Sequence, residues 1–140
     1  MLKERCQLFA DAYTNLQAKP LTAALADDCV LESQMVLEPM MGKKTIAGYL
    51  RGKLQTIKDA KTYVSCSVRR IISGPVVNAL GQPCVVMMQG SQGAVVLLNL
   101  DDNGLIERID LCVAPSPADT VPWLDDDERE YKFTPFRSKP

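Results

Sequence analysis

The change of hydrophobic period partway along the chain constrains the fold more than any other feature. Over the first 60 or so positions apolar residues recur at helical spacing; from residue 62 to residue 113 they alternate. Leu2, Cys6, Phe9, Tyr13 and Leu16 follow alternating steps of four and three, with Lys3, Glu4, Gln7, Asp11 and Asn15 between them, which predicts one amphipathic helix. Pro20 ends that helix or starts the next. Leu21, Ala24 and Leu25 then supply a short second apolar face, predicted to stop at Asp27-Asp28. Residues 29 to 36 predict a short strand with Leu31 and Ser33 on one side and Val30 and Glu32 on the other, broken at Glu38-Pro39. Gly42 opens a third helix, with Ile46, Tyr49, Leu50, Leu54 and Ile57 on one side and Lys43, Lys44, Arg51, Lys53 and Lys58 on the other.

In the second half Val64, Cys66, Val68 and then Ile72 alternate with Tyr63, Ser65, Ser67 and Arg69, a strand with one covered face. Two apolar segments, 84 to 89 and 94 to 100, flank Gly90-Ser91-Gln92-Gly93, where glycine supplies the positive φ of a hairpin. Asp101-Asp102-Asn103-Gly104 is a second turn of this kind, and 105 to 113 is the last strand of a meander. Helices first and strands later mean α+β segregation around a mixed sheet of about five strands. Residues 1–113 are read as one α+β domain. Residues 114–140 are read as a tail: Pro115, Pro117 and Pro122 are expected to exclude regular structure, 125 to 130 is acidic, and Tyr131, Phe133 and Phe136 follow as aromatic anchors.

Composition narrows the chemistry. A chain of 140 residues, 46% hydrophobic, has the size of one domain with its own core. It has no apolar run of about 18 residues that could span a membrane, and its charged first helix does not resemble a secretory leader, so a cytoplasmic location is expected. There is no histidine, which removes Ser-His-Asp and Cys-His nucleophiles and every His-ligated metal site. Cys6, Cys29, Cys66, Cys84 and Cys112 are odd in number, widely spaced and set among apolar neighbours, and read as reduced core residues. A net charge of −1 and a pI near 5.4 give no drive toward nucleic acid. Lys43, Lys44, Arg51, Lys53, Lys58 and Lys61 against Asp59 read as a solvated helix face. A sharper reading lays the acidic run 125 to 130 against that helix, with Trp123, Tyr131 or Phe133 in an apolar groove. Asp101-x-Asn103 is too short for a calcium loop; neither a metal nor a cofactor is expected.

Leu25-Ala-Asp-Asp-Cys-Val-Leu-Glu-Ser33, Gly42-Lys-Lys-Thr-Ile-Ala-Gly-Tyr-Leu50 and Asn99-Leu-Asp-Asp-Asn-Gly-Leu-Ile106, in that order, resemble three motifs of the nuclear transport factor 2-like superfamily, in its SnoaL-like and ketosteroid-isomerase-like branch. The resemblance covers roughly residues 4 to 113. It implies a cone-shaped, curved mixed sheet packed on three N-terminal helices, a cavity between them, and a homodimer with sheets back to back. It does not fix the function, because isomerases, cyclases, hydratases and plain binding modules share this scaffold. The aspartate base of the isomerases falls at Ser33, their second acid near Val96, and their tyrosine at Tyr13. Two of three catalytic positions are lost, and steroid-isomerase chemistry is not expected.

On this alignment Tyr13, Ser33, Met35, Tyr49, Met88 and Val96 face the cavity, a lining suited to a small hydrophobic ligand with one or two oxygens. Ordinary core packing by the same residues is the alternative. The carboxylates that could act as a base are Glu32, Glu38, Asp101, Asp102, Glu107 and Asp110. Asp101 and Asp102 read as turn formers. Asp110, inside an apolar strand, needs a partner; an ion pair at a dimer interface with Arg108, Arg69 or Arg70 is favoured over catalysis. An Asp-Arg-Asp water-activating set, as in epoxide-hydrolase relatives of this fold, would require these side chains to face the cavity. An enzyme and a non-catalytic binding module both stay open.

Overall fold

In the computed structural model of the chain, residues 1–62 and 64–124 are described. They form three helices, α1 (Leu2–Asn15), α2 (Lys19–Ala23) and α3 (Lys43–Asp59), and seven strands. The strands are β1 (Leu25–Ser33), β2 (Val36–Met41), β3 (Ser65–Ile71), β4 (Pro83–Gln89), β5 (Gln92–Leu100), β6 (Ile106–Cys112) and β7 (Thr120–Pro122). They join one open mixed sheet in the order β2-β1-β6-β5-β4-β3-β7, with β1 and β6 parallel and every other pair antiparallel. The architecture is the α+β cone expected from the sequence, with two more strands than anticipated.

Strand alternation divides the core in two. On the inner face Leu31, Val85, Val96, Leu98 and Ile109 pack with Cys6, Phe9 and Leu21 and with Ile46, Leu50 and Leu54 of α3. Here α1 lies across β3, β4 and β5, and α3 lies across β1 and β2. On the outer face Ile71, Cys84, Val86, Val95, Leu97 and Cys112 form a smaller cluster with Ala79, from the 3-10 turn Val77–Ala79. Each buried Leu, Ile or Phe of the larger cluster contributes about 1.5–3 kcal/mol.

Local chemistry explains the joints. Pro20 sits in the first turn of α2, where its missing N–H costs nothing. Gly42 caps α3 at φ 93, a conformation that favours glycine, and its N–H donates to the Cys29 carbonyl at 2.8 Å, which ties the helix start to β1. Gly90 turns β4 into β5 at φ 63, with Gln89 opposite Gln92. Asp101 forms its turn as expected: Oδ1 accepts from the Asn103 and Leu105 N–H groups at 2.9 and 3.0 Å.

Four expectations are corrected. The second helix ends at Ala23, and Asp27-Asp28 lie exposed inside β1, where the register against β6 slips between Leu25 and Val30. Glu38-Pro39 does not break the chain into a loop but belongs to β2, an edge strand on which a proline forfeits no ladder hydrogen bond. Ile71, not Ile72, is the buried residue at the end of β3; Ile72 is 54% exposed. The prolines after residue 113 do not exclude regular structure: Pro117–Asp119 is a 3-10 turn, and Thr120–Pro122 pairs with β3 at the other edge of the sheet. The acidic run and the aromatic anchors from 125 onward lie outside the described residues. Trp123, the last anchor within them, is half-buried and donates its backbone N–H to the Val68 carbonyl at 3.4 Å. No helix among the described residues is long and apolar enough to cross a membrane.

Candidate functional site

The helices do not fill the whole inner face. Beyond the end of α1 two adjoining lobes of about 250 and 230 Å³ open between α3, the β1–β2 hairpin and the inner surface of β4, β5 and β6. Tyr13, Met35, Lys53, Met87 and Ala94 line both lobes, which makes them one cavity. Leu31, Ser33, Val36, Glu38, Met40, Tyr49 and Leu111 complete the larger lobe. Its surface is dominated by methionine and leucine, with two phenols and a hydroxyl among them.

Tyr13 stands in the last turn of α1, almost fully buried, its ring stacked on Phe9 with centroids 5.1 Å apart. Burial, reinforced by Tyr49, pushes its phenol well above the ordinary value, so it stays a neutral hydrogen-bond donor across the physiological range. Ser33 ends β1, and its Oγ accepts the Met35 N–H at 3.2 Å. Gln34 fixes the same hairpin to β6: its side-chain amide donates to the Ala114 carbonyl at 3.0 Å and accepts from the Val113 and Ala114 N–H groups at 2.6 and 3.0 Å. Glu38, exposed on β2, is the one carboxylate that lines either lobe among the described residues.

Of the six residues expected to face the cavity, Tyr13, Ser33, Met35 and Tyr49 border it. Met88 does not. It points to the outer face and packs against the smaller cluster, directly opposite Gly93 in the β4–β5 ladder. A Cβ on Gly93 would lie 2.3 Å from the Met88 sulfur and 2.9 Å from Pro117 Cγ, so this glycine leaves the room that Met88 occupies. Its neighbour Met87 enters the cavity instead. Val96 is on the inner face but is completely buried in the main core and borders neither lobe. Met87, Ala94, Leu111 and Lys53 are among the lining residues that sequence reasoning missed. Only strand phase could have found the first three, and consecutive apolar residues hide it.

The outer face carries a charged group of its own. Arg108 donates from Nε to both oxygens of Asp110, at 3.1 and 3.0 Å, and from Nη2 to Glu32. The two carboxylates, Asp110 first, hold the guanidinium pKa above its ordinary value. Glu32 and Asp110 line a recess of about 310 Å³ with Val76, Leu97 and Cys112, and Ser33 and Leu111 border both this recess and the larger lobe. Asp110 therefore has its partner within the chain, while Arg69 is engaged by Thr120 at 2.7 and 3.0 Å. A water-activating set inside the cavity would need Asp110 on its wall, and Asp110 lines the recess and neither lobe. Burial raises the thiols of Cys6, Cys66 and Cys84 to about 12, which leaves them protonated and poor nucleophiles.

No family model matches the sequence, and no curated protein matches it. Among solved structures the fold is similar to a SnoaL-like protein of unknown function from Burkholderia thailandensis, with a TM-score of 0.58 and 13% identity over 79% of this chain and 92% of that one. It is also similar to a steroid delta-isomerase from Pseudomonas aeruginosa, with a TM-score of 0.54 and 13% identity over 83% and 80% of the two chains. A nuclear transport factor 2-like protein of unknown function from Cytophaga hutchinsonii matches with a TM-score of 0.53 and 11% identity over 80% and 88%. At these identities the likeness is one of fold.

Proposed function

We propose that this chain, which has the nuclear transport factor 2-like fold in its SnoaL-like form, binds a small hydrophobic molecule carrying one or two oxygens and lacks steroid-isomerase chemistry. One observation carries the reading: an apolar cavity presents Tyr13, Tyr49 and Ser33 to its contents, and its one carboxylate among the described residues, Glu38, is an exposed residue of the edge strand. A protonated phenol can hold a carbonyl or hydroxyl oxygen but cannot take a proton from carbon. By the sequence resemblance the isomerases' base falls at Ser33 and their second acid near Val96, which is sealed in the core.

The test is a fluorescence titration with a neutral apolar dye, phenyl naphthylamine. Ala94→Trp fills the junction of the two lobes and should abolish binding with circular dichroism unchanged; Ala94→Leu, a smaller intrusion, should weaken it. Equal binding by all three proteins would place the dye elsewhere and defeat the reading.

The position of Glu38 on the cavity wall beside Ser33 favours a second reading, an isomerase, cyclase or epoxide-hydrolase-type enzyme with Glu38 as its base. Turnover of small epoxides or enolisable ketones that Glu38→Gln abolishes would establish it over the first. The partner we propose is a second copy of the chain, sheet against sheet, supported by the apolar Val76 and Val77 exposed beside the outer-face recess. Sedimentation at micromolar concentration tests this pairing. Cysteines that are all free, and mostly buried, support a cytoplasmic location.

A further inference from the structure

Lys53 belongs to the basic side of α3, yet it borders both lobes of the cavity. It stands one helical turn after Tyr49, so phenol and ammonium come from the same strip of helix. Among the described residues no carboxylate is ion-paired with it. A lysine in this position lays its methylenes along apolar wall and keeps its charge at the mouth. The rest of the helix adds to the same potential, with Lys43, Lys44, Arg51 and Lys58 against Asp59. Glu38 opposes it from the other wall but touches only the larger lobe.

We propose that the ligand of this cavity is an apolar monoanion, a small carboxylic or sulfonic acid. Its ring or chain lies against Met35, Met87 and Leu111, and its acid group meets the ammonium of Lys53. The inference rests on the cavity reading above and narrows it from any oxygen-bearing apolar molecule to an acid. A charge-assisted hydrogen bond of this kind is stronger than a neutral one.

Two dyes with one scaffold separate the two readings: anilinonaphthalene sulfonate, an anion, and phenyl naphthylamine, its neutral counterpart. The full chain should bind the anion about ten-fold more tightly, the effect of one charge-assisted contact. Lys53→Met should bring the anion down to the affinity that the same variant shows for the neutral dye, whereas Lys53→Arg should keep the preference. Equal affinity for both dyes in the parent chain, or a preference that survives Lys53→Met, overturns the acid while the cavity stands. Tighter binding of a cationic analogue that Glu38→Gln removes also overturns it. Failure of both dyes to bind, or binding indifferent to Ala94→Trp, overturns the cavity itself.

Discussion

Asp110 receives the Nε proton of Arg108 on both its carboxylate oxygens, at 3.1 and 3.0 Å, on the face of the sheet opposite Tyr13. A carboxylate inside an apolar strand is thereby provided for without reaching the cavity, and Glu32 of the parallel neighbour β1 completes the group.

Replacement of Asp110 by Asn should therefore change little. The side chains of Arg108 and Asp110 are 36% and 27% exposed, so the pair is screened and contributes at most about 1 kcal/mol. Glu32 still holds Arg108 in the variant. A melting temperature lowered by no more than roughly 4 °C, with dye affinity unaltered, is expected. Loss of binding in a folded Asp110→Asn protein would contradict the separation of the two faces.

Among the described residues Thr120 is the one buried polar residue outside the apolar core, and its hydroxyl both donates and accepts. Its Oγ accepts from Arg69 Nε at 2.7 Å and donates to the Pro117 carbonyl at 2.7 Å, and its own carbonyl accepts from Arg69 Nη2 at 3.0 Å. These bonds hold β7 on β3. Thr120→Val keeps the shape but removes both hydroxyl bonds and strips Arg69 of a partner, at a cost of about 1–3 kcal/mol. Chemical denaturation should show that loss, and hydrogen exchange should show faster exchange at Ile72 and Trp123, whose N–H groups bond across this edge to Asp119 and Val68. Thr120→Ser should retain most of the stability. A Val variant as stable as the parent would mean that the hydroxyl adds nothing.

The parts of this fold that were legible from sequence are those whose signal is local. The stripe from Cys6 to Tyr13 and the stripe from Ile46 to Ile57 fix helix phase, and Gly90 and Asp101 mark their turns whatever packs around them. The edge strands are different, because each exists only through its neighbour. Nothing in Val36–Met41 alternates, and its proline argues for a loop until β1 is seen to need a partner on its free edge. Thr120–Pro122 is a strand because Arg69, Arg70 and Ile71 pair with it. The same distinction runs through the site. Tyr13 and Tyr49 follow from helix phase, whereas Met87 and Met88 are equally apolar, and their faces are settled by the strand register, which sets Met88 opposite Gly93. Lys53 reads as a surface cation until the cavity reaches it.

The loop before β7 carries a pH dependence of known sign. Asp119 accepts from the Ser73 hydroxyl at 2.6 Å and from the Ser116 N–H at 2.8 Å, and these bonds, Ser73 foremost, lower its pKa from the ordinary 3.8. The folded state thus holds the ionised form more tightly than the unfolded chain does. The stabilisation is present above pH of about 4 and is lost as pH falls through the lowered folded value. Asp119→Asn removes the charged acceptor. The parent should be the more stable protein at neutral pH, and the two melting curves should converge on acidification below pH of about 4. Ser73→Ala should show the same convergence from a smaller initial gap, since the Ser116 N–H bond survives. Parallel stability profiles for parent and Asp119→Asn down to acid unfolding would show that this carboxylate is not held in the folded state.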